Sequence, residues 1–186
     1  MGLFKSIFDR LKKRSGIVRR IKQDYSNEGT MNMTRVAVEA RIGASKDRVW
    51  DVIADLGAVS VWNPALADSH YTSAAKGGLE ASRHCDFPDG GYVKENVVEW
   101  RPGEAITLDI YEGTVPFASA RGSMSVSEDG DGTIVAFALE YELKSDAPVD
   151  PQEVERQNRE DLLPLVLAGL KHYVETGEPM PSPEAS

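Results

Sequence analysis

The chain predicts an α+β fold: a curved antiparallel sheet of six to seven strands wrapped around a long C-terminal helix, with two short helices after the first strand. Three observations carry this. From about residue 67 to 144 the sequence is strand-like and cut by short Gly- and Pro-rich turns, so successive strands are antiparallel neighbours. A single apolar helical face, between Asp150 and Gly177, closes the chain. The 186 residues, 41% hydrophobic and 27% charged, suit one well-formed core.

In "TRVAVEARIGAS", Val36, Val38, Ala40 and Ile42 alternate with polar neighbours, which predicts the first strand. Ser45 is placed to cap "KDRVWDVIADL", where Val49, Trp50, Ile53 and Ala54 make a short amphipathic helix. "AVSVWNPAL" is a turn or a second short helix, ended by Pro64.

The turns "KGG", "PDGG", "RPGE", "EGTVP" and "EDGDG" then divide a meander of five or six strands. Its apolar alternations run Ile106, Leu108, Ile110; then Ala118, Ala120, Gly122, Met124, Val126; then Val135, Phe137, Leu139, Tyr141.

In the closing helix, Asp150 is the N-cap, Pro151 takes the first turn and Glu153 follows. Leu162, Leu165, Val166, Gly169, Leu170 and Tyr173 form its apolar face, and Gly177 with Pro179 stops it. Pro164 lies inside and should kink the helix. The tail over residues 178–186, "EPMPSPEAS", reads as disordered.

Residues 1–30 differ in kind from the domain expected over 31–177. Eight Lys and Arg against Asp9 alone give +7 over residues 1–22; with −9 for the whole chain, the remainder carries −16. Leu3, Phe4, Ile7, Phe8, Leu11, Val18 and Ile21 share one helical face, and Lys5, Lys12, Lys13, Arg19 and Arg20 the other. Leu3, Phe4, Ile7, Phe8, Leu11, Lys12 and Lys13 are therefore the candidate contacts to an anionic membrane surface. Two other readings stand beside this one: an interaction tail, and an extension upstream of a true start at Met31 or Met33. Gly2 and Ser6 also fit a myristoylation pattern. "QDYSNEGT" links arm to body.

The acidic body should repel nucleic acid, so no nucleic-acid partner is expected. No apolar run reaches the roughly 20 residues a membrane span needs. Cys85 is the sole cysteine, which fits a reducing, cytoplasmic setting with the arm peripheral to a membrane. His70, His84 and His172 are scattered, so no metal is expected. No phosphate-binding or dinucleotide fingerprint exists, so no cofactor is expected either. His84 and Cys85 point to opposite faces of one strand, against a catalytic dyad.

"RHCDFPDGGYVKE", residues 83–95, is a hairpin with two registers open to it. A two-residue turn at Asp89-Gly90 pairs Arg83 with Asn96. A Pro-Asp turn closed by a left-handed Gly90 pairs Arg83 with Glu95 and Cys85 with Val93, and the Gly-Gly pair favours it. In that register Ala81, Arg83, Cys85, Val93, Glu95 and Val97 share an inward face, while His84, Asp86, Lys94 and Asn96 face out.

The order of elements, with "ARIGASKDRVWDVIADLGAVSVWNP", "ASRHCDFPDGGYVKENVVEWRPGEAITLDI", "GTIVAFALEYEL" and the closing helix, resembles the SRPBCC superfamily. This is the helix-grip fold of START lipid-transfer domains and polyketide cyclases. The resemblance covers about residues 34–176, and the bacterial polyketide-cyclase/dehydrase and lipid-transport subgroup is the nearest. It implies an apolar ligand held between sheet and long helix.

It also implies an Arg before the hairpin turn and a Glu after it, here Arg83 and Glu95, and an aromatic beside the cavity mouth, here Trp62. Tyr111 and Tyr141 offer hydroxyls, Asn158 an amide one turn before Leu162, and Leu162, Leu165 and Val166 an apolar helical wall. Three function classes follow. One is a carrier or sensor of a small hydrophobic molecule. The second is a cyclase or dehydratase using Arg83 and Glu95, or a tyrosine, as acid/base groups. The third is an interaction module without a ligand. The residues leave the oligomeric state open.

Overall fold

The computed structural model describes residues 19–20 and 33–180. In chain order the elements are β1 (Arg19–Arg20), β2 (Thr34–Ile42), α1 (Lys46–Ala54), a 3-10 turn (Leu56–Ala58), α2 (Val59–Trp62), β3 (Asp68–Tyr71), β4 (Ser82–Asp86), β5 (Tyr92–Arg101), β6 (Ala105–Gly113), β7 (Phe117–Asp129) and β8 (Gly132–Leu143). The last described element is a helix over residues 151–176, made of α3 (Pro151–Gln157), a π-helical turn (Asn158–Leu162) and α4 (Leu163–Thr176).

The strands make one antiparallel sheet in the order β1-β2-β8-β7-β6-β5-β4-β3. The meander β3 to β8 runs hairpin by hairpin, and β2 pairs with its last strand. Helices α1 and α2 carry the chain from β2 to the opposite edge at β3.

Val36, Val38, Ala40 and Ile42 are buried under the C-terminal helix, as their alternation requires. Ser45 caps α1, its hydroxyl accepting from the Arg48 amide, and Val49 and Ile53 are its buried residues. Trp50 is half-buried, edge-on to Trp100 at 5.5 Å. Arg48 Nε donates to the Val174 carbonyl at 2.9 Å, placing a cation on the unpaired C-terminal end of α4. Asp150 caps α3 by accepting from the Gln152 amide at 2.9 Å, and Gly177, at φ 80°, ends α4.

Residues 19–20, expected to be helical, instead pair as strand with Val38 and Glu39. The open edge of β2 offers them backbone hydrogen bonds. The other arm residues named above, including Leu3, Phe4, Ile7, Phe8, Leu11, Lys12 and Lys13, lie outside the described residues, as do positions 181–186 of the tail.

Three bulges bend the sheet and reset its inward face. In β5–β6, Lys94 pairs with Glu112 but Glu95 with Ile110, which leaves Tyr111 as the extra residue; Val98 is the extra residue of a second bulge. In β7–β8, Phe117 pairs with Leu143 and Ser119 with Glu142, which leaves Ala118 over. Ala118, expected to be inward, is therefore exposed, and Phe117 packs against the core instead.

Pro164 acts upstream. It has no N–H to donate, and its ring crowds the carbonyl four residues before it. The helix meets this with the π-turn, in which the Leu163 amide reaches back five residues to the Asn158 carbonyl. One inserted residue rotates the downstream face by roughly 100°. Leu163 and Leu167 thereby become fully buried, while Leu165 swings to a half-buried position.

Candidate functional site

The β4–β5 hairpin builds one wall of an interior cavity. Its chain reverses at Phe87-Pro88-Asp89-Gly90. The Gly90 amide donates to the Phe87 carbonyl at 3.0 Å, and the Phe87 amide to the Gly91 carbonyl at 2.8 Å. Gly90 has φ 86°, a left-handed conformation that favours glycine. This is the bulged register: Arg83 stands opposite Glu95, and Cys85 opposite Val93. Ala81, Cys85, Val93, Glu95 and Val97 are all buried, so the face shared with Arg83 points inward.

Arg83 Nε donates to Glu95 Oε2 at 2.7 Å, with each side chain 11% exposed. Burial works against the guanidinium charge, but Glu95 outweighs it and Arg83 is held above its ordinary value. The Cys85 thiol donates to the same Glu95 oxygen at 3.7 Å. Burial, with Glu95 adding to it against the opposing pull of Arg83, pushes that thiol up to about 12, so Cys85 is a protonated wall residue and a poor nucleophile.

The cavity lies between the sheet and the C-terminal helix and has a volume of about 170 Å³. β6, β7 and β8 supply apolar side chains such as Ile110, Met124 and Phe137, and the helix supplies Leu162, Leu163 and Val166. Polar groups are few: Arg83 and Glu95, the Trp62 indole, Asn63, the Asn158 amide and Asp89, which is exposed. A mostly apolar hollow with a few placed polar groups is the usual composition of a small-molecule site.

Of the residues singled out from sequence, Trp62, Arg83, Glu95, Asn158, Leu162 and Val166 line this cavity. Trp62 is 4% exposed, a wall residue more than a doorway one. Three others do not line it. Tyr111, the unpaired bulge residue, is 51% exposed. Leu165 is turned away by the π-turn. Tyr141 is 1% exposed but sits behind the lining, its ring 4.8 Å from that of Phe117. The sequence shows Leu108, Met124 and Phe137 only as members of apolar alternations, without assigning them to the cavity; their shared parity was the available signal. Leu163 gave no such signal, because the π-turn that brings it round is not a periodic feature.

The histidines are less scattered than the sequence suggests. Pairing of β3 with β4 sets His70 opposite His84 on the outer face, rings stacked at 5.1 Å, with Asp68 opposite Asp86 beside them. Asp68, His70 and Asp86 bring donor atoms within 4.8 Å of one another, and His84 Nε2 lies 2.9 Å from Asp86 Oδ1. Among the described residues these could hold a metal ion, but they are mostly exposed and face away from the cavity.

The family model described as polyketide cyclase / dehydrase and lipid transport matches residues 33–175. Solved structures share the fold. A START superfamily protein from Mycobacterium smegmatis is 20% identical with a TM-score of 0.66, covering 76% of this chain and 97% of that one. A protein from Thermus thermophilus is 20% identical, TM-score 0.65, covering 77% and 99%. The ginseng major latex-like protein from Panax ginseng is 18% identical, TM-score 0.63, covering 76% and 97%. Among curated proteins, none matches this sequence.

Proposed function

This chain belongs to the polyketide cyclase / dehydrase and lipid transport family, and from that premise we propose that it binds and carries a small hydrophobic molecule between its sheet and its C-terminal helix. The observation that carries this reading is the cavity itself: about 170 Å³ of apolar-walled space between the sheet and the C-terminal helix. A collapsed interior, as an interaction module would have, is not what these residues make.

The Arg83–Glu95 pair at the wall favours a second reading, a cyclase or dehydratase. Glu95 would accept a proton while Arg83 polarises a carbonyl. Carriage is preferred because the pair's charges satisfy each other and the neighbouring thiol is held protonated. Calorimetric titration with toluene, a probe of the cavity's own size, tests the reading. A saturable heat with one site per chain supports it; no saturable heat overturns it.

The finer reading places this binding at a membrane surface. No helix among the described residues is long and apolar enough to cross a membrane. The attraction would come from the +7 arm over residues 1–22, with Leu3, Phe4, Ile7, Phe8 and Leu11 entering the lipid and Lys12 and Lys13 meeting its headgroups. Vesicle co-sedimentation of the full chain should require anionic lipid and weaken with salt, and should be lost when residues 1–22 are removed. Binding that ignores salt or survives that truncation counts against it.

A further inference from the structure

Asn158 is a polar residue that this cavity leaves unanswered. It is 1% exposed, it lines the hollow, and neither Nδ2 nor Oδ1 has a hydrogen-bond partner. The Tyr141 hydroxyl is also buried without a partner, and the two side chains approach each other without reaching hydrogen-bond geometry. The Trp62 indole Nε1 is a third buried donor left unpaired in the same lining. Native interiors rarely leave such groups unsatisfied, because an unmade buried hydrogen bond costs more than a made one returns. Leucine is close to asparagine in shape and would seal the spot with apolar contact. The sequence instead keeps an unpaired donor and acceptor on a residue that lines the hollow, the one whose own carbonyl anchors the π-turn. Such turns recur at functional sites.

Charge narrows what could answer them. Among the described lining residues the cation is Arg83, already met by Glu95 at 2.7 Å, and the remaining charge is the exposed carboxylate Asp89. An anionic guest would pass a carboxylate and give up its water with no free cation to replace it. Size narrows it further: about 170 Å³ is close to the roughly 150 Å³ that holds one benzene ring.

Resting on the reading that the cavity binds a guest, we propose that Asn158 is its polar recognition point, and that the guest is a compact neutral molecule presenting a hydroxyl or carbonyl group to the Asn158 amide. A hydroxyl can donate to Oδ1 and accept from Nδ2 at once. A fatty-acid carboxylate has no place in this arrangement.

Three probes of similar shape test this by calorimetry on the full chain: ethylbenzene, para-ethylphenol and para-ethylbenzoate. The phenol should bind about tenfold more tightly than ethylbenzene, and the carboxylate more weakly than either. Asn158→Leu should abolish the advantage of the phenol, keep ethylbenzene binding and raise Tm, since it removes an unsatisfied buried amide. Equal binding of phenol and ethylbenzene, or tightest binding of the carboxylate, overturns the inference and leaves the cavity reading standing. Asn158→Leu that lowers Tm or fails to fold marks the amide as structural and also overturns it. Binding of none of the three overturns this inference and the function proposed above together.

Discussion

Arg83 and Glu95 occupy directly opposed positions on β4 and β5, joined Nε to Oε2 at 2.7 Å, with each side chain 11% exposed on the cavity wall. A pair this far from water adds little net stability, yet either partner left alone is a buried, unmatched charge. Arg83→Met should therefore cost about 3–5 kcal/mol in urea unfolding. Adding Glu95→Leu should recover most of that loss, because both charges then leave together. A cost below about 1 kcal/mol for the single change would mean the pair behaves as a solvated surface bridge.

Glu175 predicts a second, acid-sensitive contribution. Its carboxylate accepts from the Gly43 amide at 2.7 Å and from Lys171 Nζ at 2.5 Å, tying the end of α4 to the end of β2. Burial pushes this carboxyl up, but Lys171 and the Gly43 amide outweigh burial and hold it below 4.5. A carboxyl lowered on folding contributes stability above its unfolded value and loses it as pH falls through the folded one. Thermal unfolding of the parent should therefore lose stability below about pH 4.5, and Glu175→Gln should show a shallower loss there. Parallel pH profiles for the two proteins would contradict this.

Gly169 is where the C-terminal helix meets the Trp62-Asn63-Pro64 corner. A Cβ there would lie 2.3 Å from the Trp62 carbonyl and 2.5 Å from Pro64 Cδ, so the two segments cannot keep their spacing around a methyl group. Although alanine is the better helix former, Gly169→Ala should destabilise by about 1–3 kcal/mol. Denaturant unfolding reads the sign directly. A stabilised variant would show that the close approach is not present in solution.

How far the sequence reached can be seen in particular residues. Val36 to Ile42, the Ser45 and Asp150 caps and the Gly90 turn are local signals, each read from a few neighbouring side chains, and each appears as expected. The hairpin register followed from the turn, so the inward pairing of Arg83 with Glu95 was within reach before any coordinates.

What local periodicity could not carry was the consequence of one extra residue. A bulge at Tyr111 and another at Ala118 shift the inward set by one position, and nothing in an alternating pattern announces them. The π-turn does the same to the helix, taking Leu165 off the cavity and bringing Leu163 in. Pro164 was the visible cause, but its effect fell upstream of itself. His70 and His84 illustrate the other limit: fourteen positions apart in sequence, they meet through the pairing of β3 with β4.

The most direct test of the account is native mass spectrometry of the gently purified chain beside Gly122→Leu. Gly122 lines the cavity, and a Cβ added to it meets nothing closer than Phe137 Cε2 at 3.6 Å, so the backbone there accepts a side chain, and a leucine is chosen to occupy the hollow. The parent should retain a small apolar molecule, or take one up when offered, at one per chain. Gly122→Leu should fold, resist heat at least as well as the parent, and carry none. A parent that holds no guest, or a filled variant that holds it equally well, would contradict the claim that this hollow is where the protein does its work.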